Sequence, residues 1–155
     1  FISNEFREGD IEMHPGFLVY NPETLLKLRN AVGDFIGANF DPSHLFWQGI
    51  DPSVAVRALK GAIWHVHAKD MSMHEWNCRQ NGVLETKTSR EINARSWVFR
   101  TVGYGHGREF WCDFLTNLRM AGYDGVLSIE HEDHLMNPRE GLEKGIRFLQ
   151  SIVLE

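Results

Sequence analysis

The 155-residue sequence has only two cysteines, Cys78 and Cys112. They show no C-x-x-C spacing, and reduced thiols in a cytoplasmic protein are expected. No apolar run approaches the roughly 18–20 residues that a membrane span needs, so no membrane partner is expected. The opening FISNEFREGD lacks a basic segment followed by an apolar core, which excludes a secretion signal at this position. No Lys/Arg run is long and the net charge is −5, which disfavours a nucleic-acid or anionic-membrane partner. There is no low-complexity segment and no sequence repeat. The apolar and charged fractions are those of an ordinary globular protein, and the length fits one domain, 1–155, with a sizeable core. The sequence begins with Phe1 rather than Met, and its first strand starts within about ten residues; a piece of a larger protein is the expectation.

What is present is an alternation of two periodicities. Strands are expected at GDIEMH (9–14), DFIGANFD (34–41), AIWHVH (62–67) and GVLSIE (125–130). Helices are expected between and after them. NPETLLKLRNAV (21–32) follows an Asn cap, carries Leu25, Leu26, Leu28 and Val32, and closes at Gly33. DPSVAVRALKG (51–61) is capped by Asp51 and ends in Gly. REFWCDFLTNLRMAG (108–122) carries Phe110, Trp111, Phe114, Leu115 and Leu118. NPREGLEKGIRFLQSIVL (137–154) is expected to place Leu142, Ile146, Leu149 and Ile152 on its buried face. Strands alternating with helices imply βαβ units and a parallel sheet. Residues 71–107 are polar, aperiodic and far longer than a usual connection, as active-site covers often are.

Alternate residues of a strand share a face. Asp10, Glu12 and His14 oppose Ile11 and Met13; Gly37, Asn39 and Asp41 oppose Ile36, Ala38 and Phe40. Ile63, His65 and His67 oppose Trp64 and Val66; Val126, Ser128 and Glu130 oppose Leu127 and Ile129. Each strand thus gathers polar residues on one parity, toward its C-terminal end. In a parallel α/β sheet or barrel those ends lie at one rim, where sites form. Glu12, Asp41, His67 and Glu130 converge there, with His14, His44 and His65 nearby. Three carboxylates and an imidazole repel one another unless a cation sits among them, and this donor set suits Mn²⁺, Mg²⁺, Co²⁺ or Zn²⁺. Taken singly, each has an ordinary alternative as a cap, turn or hydrogen-bonded core residue.

The motifs IEMHPG, FDPSHLFWQGIDP, HVHAKD, GYGHG and GYDGVLSIEHED together resemble the sugar isomerase/epimerase superfamily with a xylose-isomerase-like TIM barrel. They match the last four βα units of such a barrel in order, so the fold class implied is α/β, half of a (β/α)₈ barrel. The resemblance implies a metal site of Glu12, Asp41, His67 and Glu130, Mn²⁺ being the first expectation. It implies Glu12 and Glu130 as the catalytic acid/base pair on opposite faces of the substrate. His44 is implied as a substrate contact, and His14, His65 and Lys69 are placed on the substrate side. His65 has a second reading as an interior hydrogen-bonded group, and Asp70 as a turn cap. Arg95, Arg100 and His106 are open between gripping substrate and packing the loop.

The activity implied is divalent-metal-dependent isomerisation or epimerisation of a sugar, sugar phosphate or polyol, by proton transfer through an enediolate. Dehydration of a polyol belongs to the same superfamily. Partners expected are the small-molecule substrate and, for an open half barrel, a second copy in a homo-oligomer. Two other readings stand beside this one: an inactive fragment or subunit that needs a complementary half, and an abasic-site endonuclease-like metal hydrolase, against which the acidic balance counts.

Overall fold

A computed structural model describes residues 9–84 and 86–154. Four parallel strands form one sheet in the order β1 (Asp10–Glu12), β2 (Gly37–Phe40), β3 (Ile63–Ala68) and, written ahead of its place in the chain, β6 (Leu127–Ile129). Each is followed by helical chain: α1 (Pro22–Val32) after β1, α2 (Ser43–Phe46) and α3 (Pro52–Ala58) after β2, α5 (Arg108–Met120) after β3, and α6 (Pro138–Gln150) after β6. This is four βα units of a barrel, open at its β1 and β6 edges among the described residues.

The helices start where the caps dictate. The Asn21 side chain accepts from Thr24 N at 2.9 Å while the Thr24 hydroxyl receives the Asn21 amide, a reciprocal box that satisfies two otherwise orphaned donors. Asp51 accepts from Ser53 N and Val54 N. The core lies between the sheet and the helices. Ala38, Phe40 and Val66 from the strands meet Leu25, Val56, Leu59, Trp111, Phe114 and Leu118, all essentially inaccessible to water. The face thus buried on β2 and β3 is the apolar parity of the sequence, which leaves the polar parity to the barrel interior.

Three expectations are corrected. The segment 71–107 is not one aperiodic loop. It contains β4 (Asp70–Met73) and β5 (Trp97–Arg100), paired antiparallel, with α4 (Glu75–Asn81) and a 3₁₀ turn at Ile92–Ala94 between them. Second, the alternation in β3 is broken. Ala38 pairs with Ile63 but Asn39 pairs with His65, so Trp64 is the extra residue of a β-bulge. Ile63 therefore joins the helix-side core with Ala38. Trp64 lies over Gly37, where a Cβ would fall inside the indole. Third, α6 does not bury Leu142 and Ile146, which are exposed. It buries Gly141, Gly145 and Leu149: at Gly141 the helix lies against the His131 ring more closely than any side chain would allow, and Gly145 sits at ordinary contact distance from the Ile129 side chain.

Candidate metal centre

Glu12 closes β1, Asp41 follows the last residue of β2, His67 is the penultimate inward residue of β3, and Glu130 follows β6. The parallel register carries all four to one rim. His67 Nδ1 lies 3.1 Å from a Glu12 oxygen, 3.3 Å from Glu130 and 3.8 Å from Asp41. His44, on the short helix after β2, adds a second imidazole: its Nε2 is 3.3 Å from Glu12 and 3.5 Å from Asp41. The donor atoms fall into two triads that share Glu12, namely Glu12–Asp41–His44 and Glu12–His67–Glu130. Within each triad they lie within 4.8 Å of one another.

The donor atoms are aimed by neighbours. Ser43 N donates to Asp41 Oδ1 at 2.8 Å, which turns Oδ2 inward. The Asn39 amide lies 3.2 Å from His67 Nε2. A ring that is protonated, or that offers Nδ1 to a metal, carries hydrogen on Nε2 and needs an acceptor there. The Asn39 oxygen is that acceptor once the amide is turned end for end, which also satisfies the buried Oδ1 that otherwise has no partner. Asp41 Oδ2 and His67 Nδ1 are buried and make no well-directed hydrogen bond; their contacts are the ion pairs given above, the shortest being His67 Nδ1 to Glu12 at 3.1 Å. Two inward-aimed donor atoms without well-directed hydrogen bonds, amid carboxylates, are what a divalent cation would satisfy, so the residues present fit such an ion.

The electrostatics follow from burial against neighbouring charge. Burial works to lower the His67 pKa, but Asp41, Glu12 and Glu130 outweigh it and raise it to about 9. Burial works to raise Glu12, but His44 and His67 outweigh it and hold its carboxyl well below the usual carboxylate range. Lys69 Nζ sits 2.6 Å from Glu132, 3.0 Å from Glu130 and 3.7 Å from Asp41, and although burial opposes it, these acids push its pKa up. Lys69 thus neutralises rim carboxylates. Glu132 was not singled out by sequence reasoning; its position two residues after Glu130 on the emerging strand was the available signal.

The remaining expected site residues are sorted by the structure. His14 lies beyond β1 with its ring tilted against that of His44 at 4.4 Å, its Nδ1 on the Pro15 carbonyl; burial and the His44 charge lower its pKa. His65 is half-buried with its ring edge-on to that of His67 at 5.5 Å and is a member of neither triad; burial lowers its pKa too. Arg100 donates to the buried Asp133 at 3.1 Å and His106 meets Asp70 at 2.8 Å, so both tie the chain together. Arg95 is buried beside Trp97.

Two further residues emerge only from the structure. Asp70 is no simple turn cap: its fully buried carboxylate accepts from the amides of Met71, Gly103, Gly105 and His106 and from the Trp111 indole. Phe99, on the return strand of the hairpin, lies 4.3 Å from Lys69 Nζ and edge-on to His44, forming an apolar wall of the site.

Residues 9–152 match the family described as the xylose isomerase-like TIM barrel. The chain is 44% identical to the uncharacterized protein YfiH of Bacillus subtilis (strain 168) over 136 residues, 88% of this chain and 44% of that one. It is 31% identical to the rhizopine catabolism protein MocC of Rhizobium meliloti over 120 residues, 77% of this chain and 35% of that one. It thus spans less than half the length of these relatives. Among solved structures it superposes on a xylose isomerase domain protein from Planctomyces limnophilus. The TM-score is 0.63 and the identity 23%, over 92% of this chain and 45% of that one. It also superposes on the probable 3-DHS dehydratase AsbF of Bacillus anthracis, with TM-score 0.66 and 22% identity, over 90% and 48%. Both likenesses are of fold.

Proposed function

The chain belongs to the xylose isomerase-like TIM barrel family, and from that premise we propose that it carries the metal-binding half of a divalent-metal-dependent sugar or polyol isomerase or epimerase. The observation that carries this reading is the pair of buried donor atoms, Asp41 Oδ2 and His67 Nδ1, that make no well-directed hydrogen bond where Glu12 and Glu130 converge. Glu12, Asp41, His67 and Glu130 would hold the ion, with His44 as a further donor beside Glu12 and Asp41. A bound Mn²⁺ or similar ion supplies a Lewis acid beside the substrate's oxygens.

The chain's own residues supply the proton chemistry. Glu12 and Glu130 reach His67 Nδ1 from separate strands, and their facing oxygens are within 4.8 Å. One takes the proton from the carbon next to a substrate carbonyl, leaving an enediolate. The other, protonated at the start of the turnover, gives its own proton, to the opposite face for epimerisation or to the neighbouring carbon for isomerisation, and the two carboxyls regain their starting states by exchange with solvent. Lys69, held among Asp41, Glu130 and Glu132, limits the mutual repulsion of the acids. Phe99 and the hairpin behind it exclude water from one side. The catabolic role in the name of MocC fits the processing of a small molecule of this kind.

Closing the barrel requires strands beyond the four described, pairing at the β1 and β6 edges. These strands come from a longer chain or from a second copy in a homo-oligomer. The exposed Leu142, Ile146, Val153 and Leu154 beside the β6 edge are surface that such a complement covers. The test is exchange of the substrate C–H in D₂O, read by NMR on the Mn²⁺-loaded protein, with its solution mass measured alongside. Glu130→Gln should abolish both exchange and turnover and weaken Mn²⁺ binding. Unchanged activity in that variant would refute the role.

A further inference from the structure

A small cavity shares Phe99 and Glu132 with the surroundings of the metal centre. It is walled by the hairpin and the chain after β6, with Arg95, Val98, Phe99, Glu132, Asp133 and Leu135 among its lining residues. Phe99 and Glu132 both touch Lys69. The cavity's charges are unequally matched. Asp133 accepts from Arg100 Nε, Thr101 N and Leu135 N. Glu132 is 2.6 Å from Lys69. Arg95 is only 9% exposed, yet among the described residues its guanidinium meets no acid. Its Nε donates to the Trp97 carbonyl and its face lies 4.4 Å from the Trp97 ring, which leaves the terminal nitrogens without a carboxylate. The terminal nitrogens are not among the buried atoms without a partner, so they remain open to the cavity, and a guanidinium fork matches a carboxylate in two parallel hydrogen bonds.

We propose that this cavity is a subsite for a carboxylate at the far end of the substrate, with Arg95 as its cation. The volume open to the centres of waters is about 20 Å³. The space is small, enough for a water or the end of a small ligand, and Arg95 offers its planar fork of donors to a carboxylate there. Resting on the reading of the metal centre above, this narrows the substrate class from neutral sugars to sugar acids whose carbonyl end lies at Glu12 and Glu130. Trp97 is stacked on Trp47 at 4.8 Å, and its indole nitrogen donates to the Val83 carbonyl, so the ring that supports Arg95 is itself fixed.

The experiment compares D-fructose with D-fructuronate, which differ only in a terminal CH₂OH or carboxylate, by calorimetric titration of the Mn²⁺-loaded protein. Fructuronate should bind at least about tenfold more tightly, as expected for a charge-assisted pair. Arg95→Gln should remove that preference while leaving fructose affinity and the separately titrated Mn²⁺ affinity unchanged, and Arg95→Lys should retain part of it. A purely structural arginine would lower the unfolding temperature in both variants without touching the preference. Equal binding of the two sugars by the unmodified protein overturns the proposal without recourse to any variant. So does a preference that survives in Arg95→Gln, or a failure of fructuronate to bind. Loss of Mn²⁺ binding at the rim is a different result, and it counts against the metal centre instead.

Discussion

Replacing Asp70 is expected to destabilise the fold strongly, although Asp70 touches no donor atom of either triad. The carboxylate is fully buried. Oδ2 receives Gly103 N at 3.0 Å, Gly105 N at 3.1 Å, His106 N at 2.9 Å and Trp111 Nε1 at 3.3 Å; Oδ1 receives Met71 N at 2.8 Å and faces His106 Nδ1 at 2.8 Å. In Asp70→Asn the better amide orientation keeps the oxygen at the four-donor end and turns the NH₂ against Met71 N. One backbone donor is then opposed, and four charge-assisted bonds become neutral ones of roughly half the strength. A loss of about 2–4 kcal/mol follows, from about 1–3 for the opposed donor and a few tenths for each weakened bond. Asp70→Ala leaves every donor without its acceptor and should cost about 4 kcal/mol or more, a large share of an ordinary domain's total stability. Urea unfolding of both variants checks the order. Hydrogen exchange at Gly103, Gly105 and His106 should accelerate selectively in Asp70→Asn. A loss below about 0.5 kcal/mol in Asp70→Asn, or an Asn variant less stable than the Ala variant, would refute the reasoning.

Three other outcomes follow from the site and the sheet. His67 has its pKa raised to about 9 in the folded chain, so its ion pairs stabilise the metal-free protein fully below its unfolded value near 6.5, and that contribution is lost as pH rises through 9. A metal needs the deprotonated ring, so Mn²⁺ affinity should climb about tenfold per pH unit from pH 7, about 100-fold in all, and level off above 9; a flat profile between pH 7 and 9 sinks this. Lys69→Met removes the buried cation among Asp41, Glu130 and Glu132 and should cost about 3–5 kcal/mol without metal. Added Mn²⁺ should restore part of that in a thermal melt, and a loss that Mn²⁺ leaves unchanged counts against the account. Gly37→Ala puts a methyl into the Trp64 indole and should cost about 1–3 kcal/mol in urea unfolding; a neutral result would show that the bulge relaxes.

The order of strands and helices was legible because the signals were local. Caps at Asn21 and Asp51 and runs of alternating polarity each span only a few residues. The convergence of Glu12, His67 and Glu130 was legible for the same reason, since parallel strands deliver equivalent positions to one rim. What escaped had its cause elsewhere in the chain. Nothing near Trp64 marks it as a bulge; its place is set by the missing side chain of Gly37, on another strand. Leu142 and Ile146 have helical spacing, but the face that carries Gly141 and Gly145 is the buried one, Gly141 lying closer to the His131 ring than a Cβ would permit, so close approach outweighed hydrophobicity. The hairpin was hidden because Asp70–Met73 and Trp97–Arg100 are short, polar at one end and far apart in sequence. Asp70 was hidden because five of its donors are backbone or indole N–H groups, which leave no pattern of charge.

The hairpin explains why the rim carries a lysine between a metal-type histidine and a structural aspartate. Strand β3 ends at Ala68 and β4 begins at Asp70, so Lys69 is the single residue between the barrel strand and the first strand of its cover. Its ammonium is drawn to Glu130 and Glu132 beside β6, while Phe99 from the return strand lies against it. One residue later, Asp70 gathers the amides of Gly103, Gly105 and His106, which lead into α5. The cover therefore cannot shift without moving either the cation that tempers the rim carboxylates or the anion that holds the chain after β5. A cover so anchored keeps Phe99 and Arg95 at fixed positions relative to His67. Selectivity at the cavity is then set by the rigid placement of Arg95 and not by closure of a loop, and Asp70→Asn should degrade sugar-acid preference and metal affinity together, although it contacts neither.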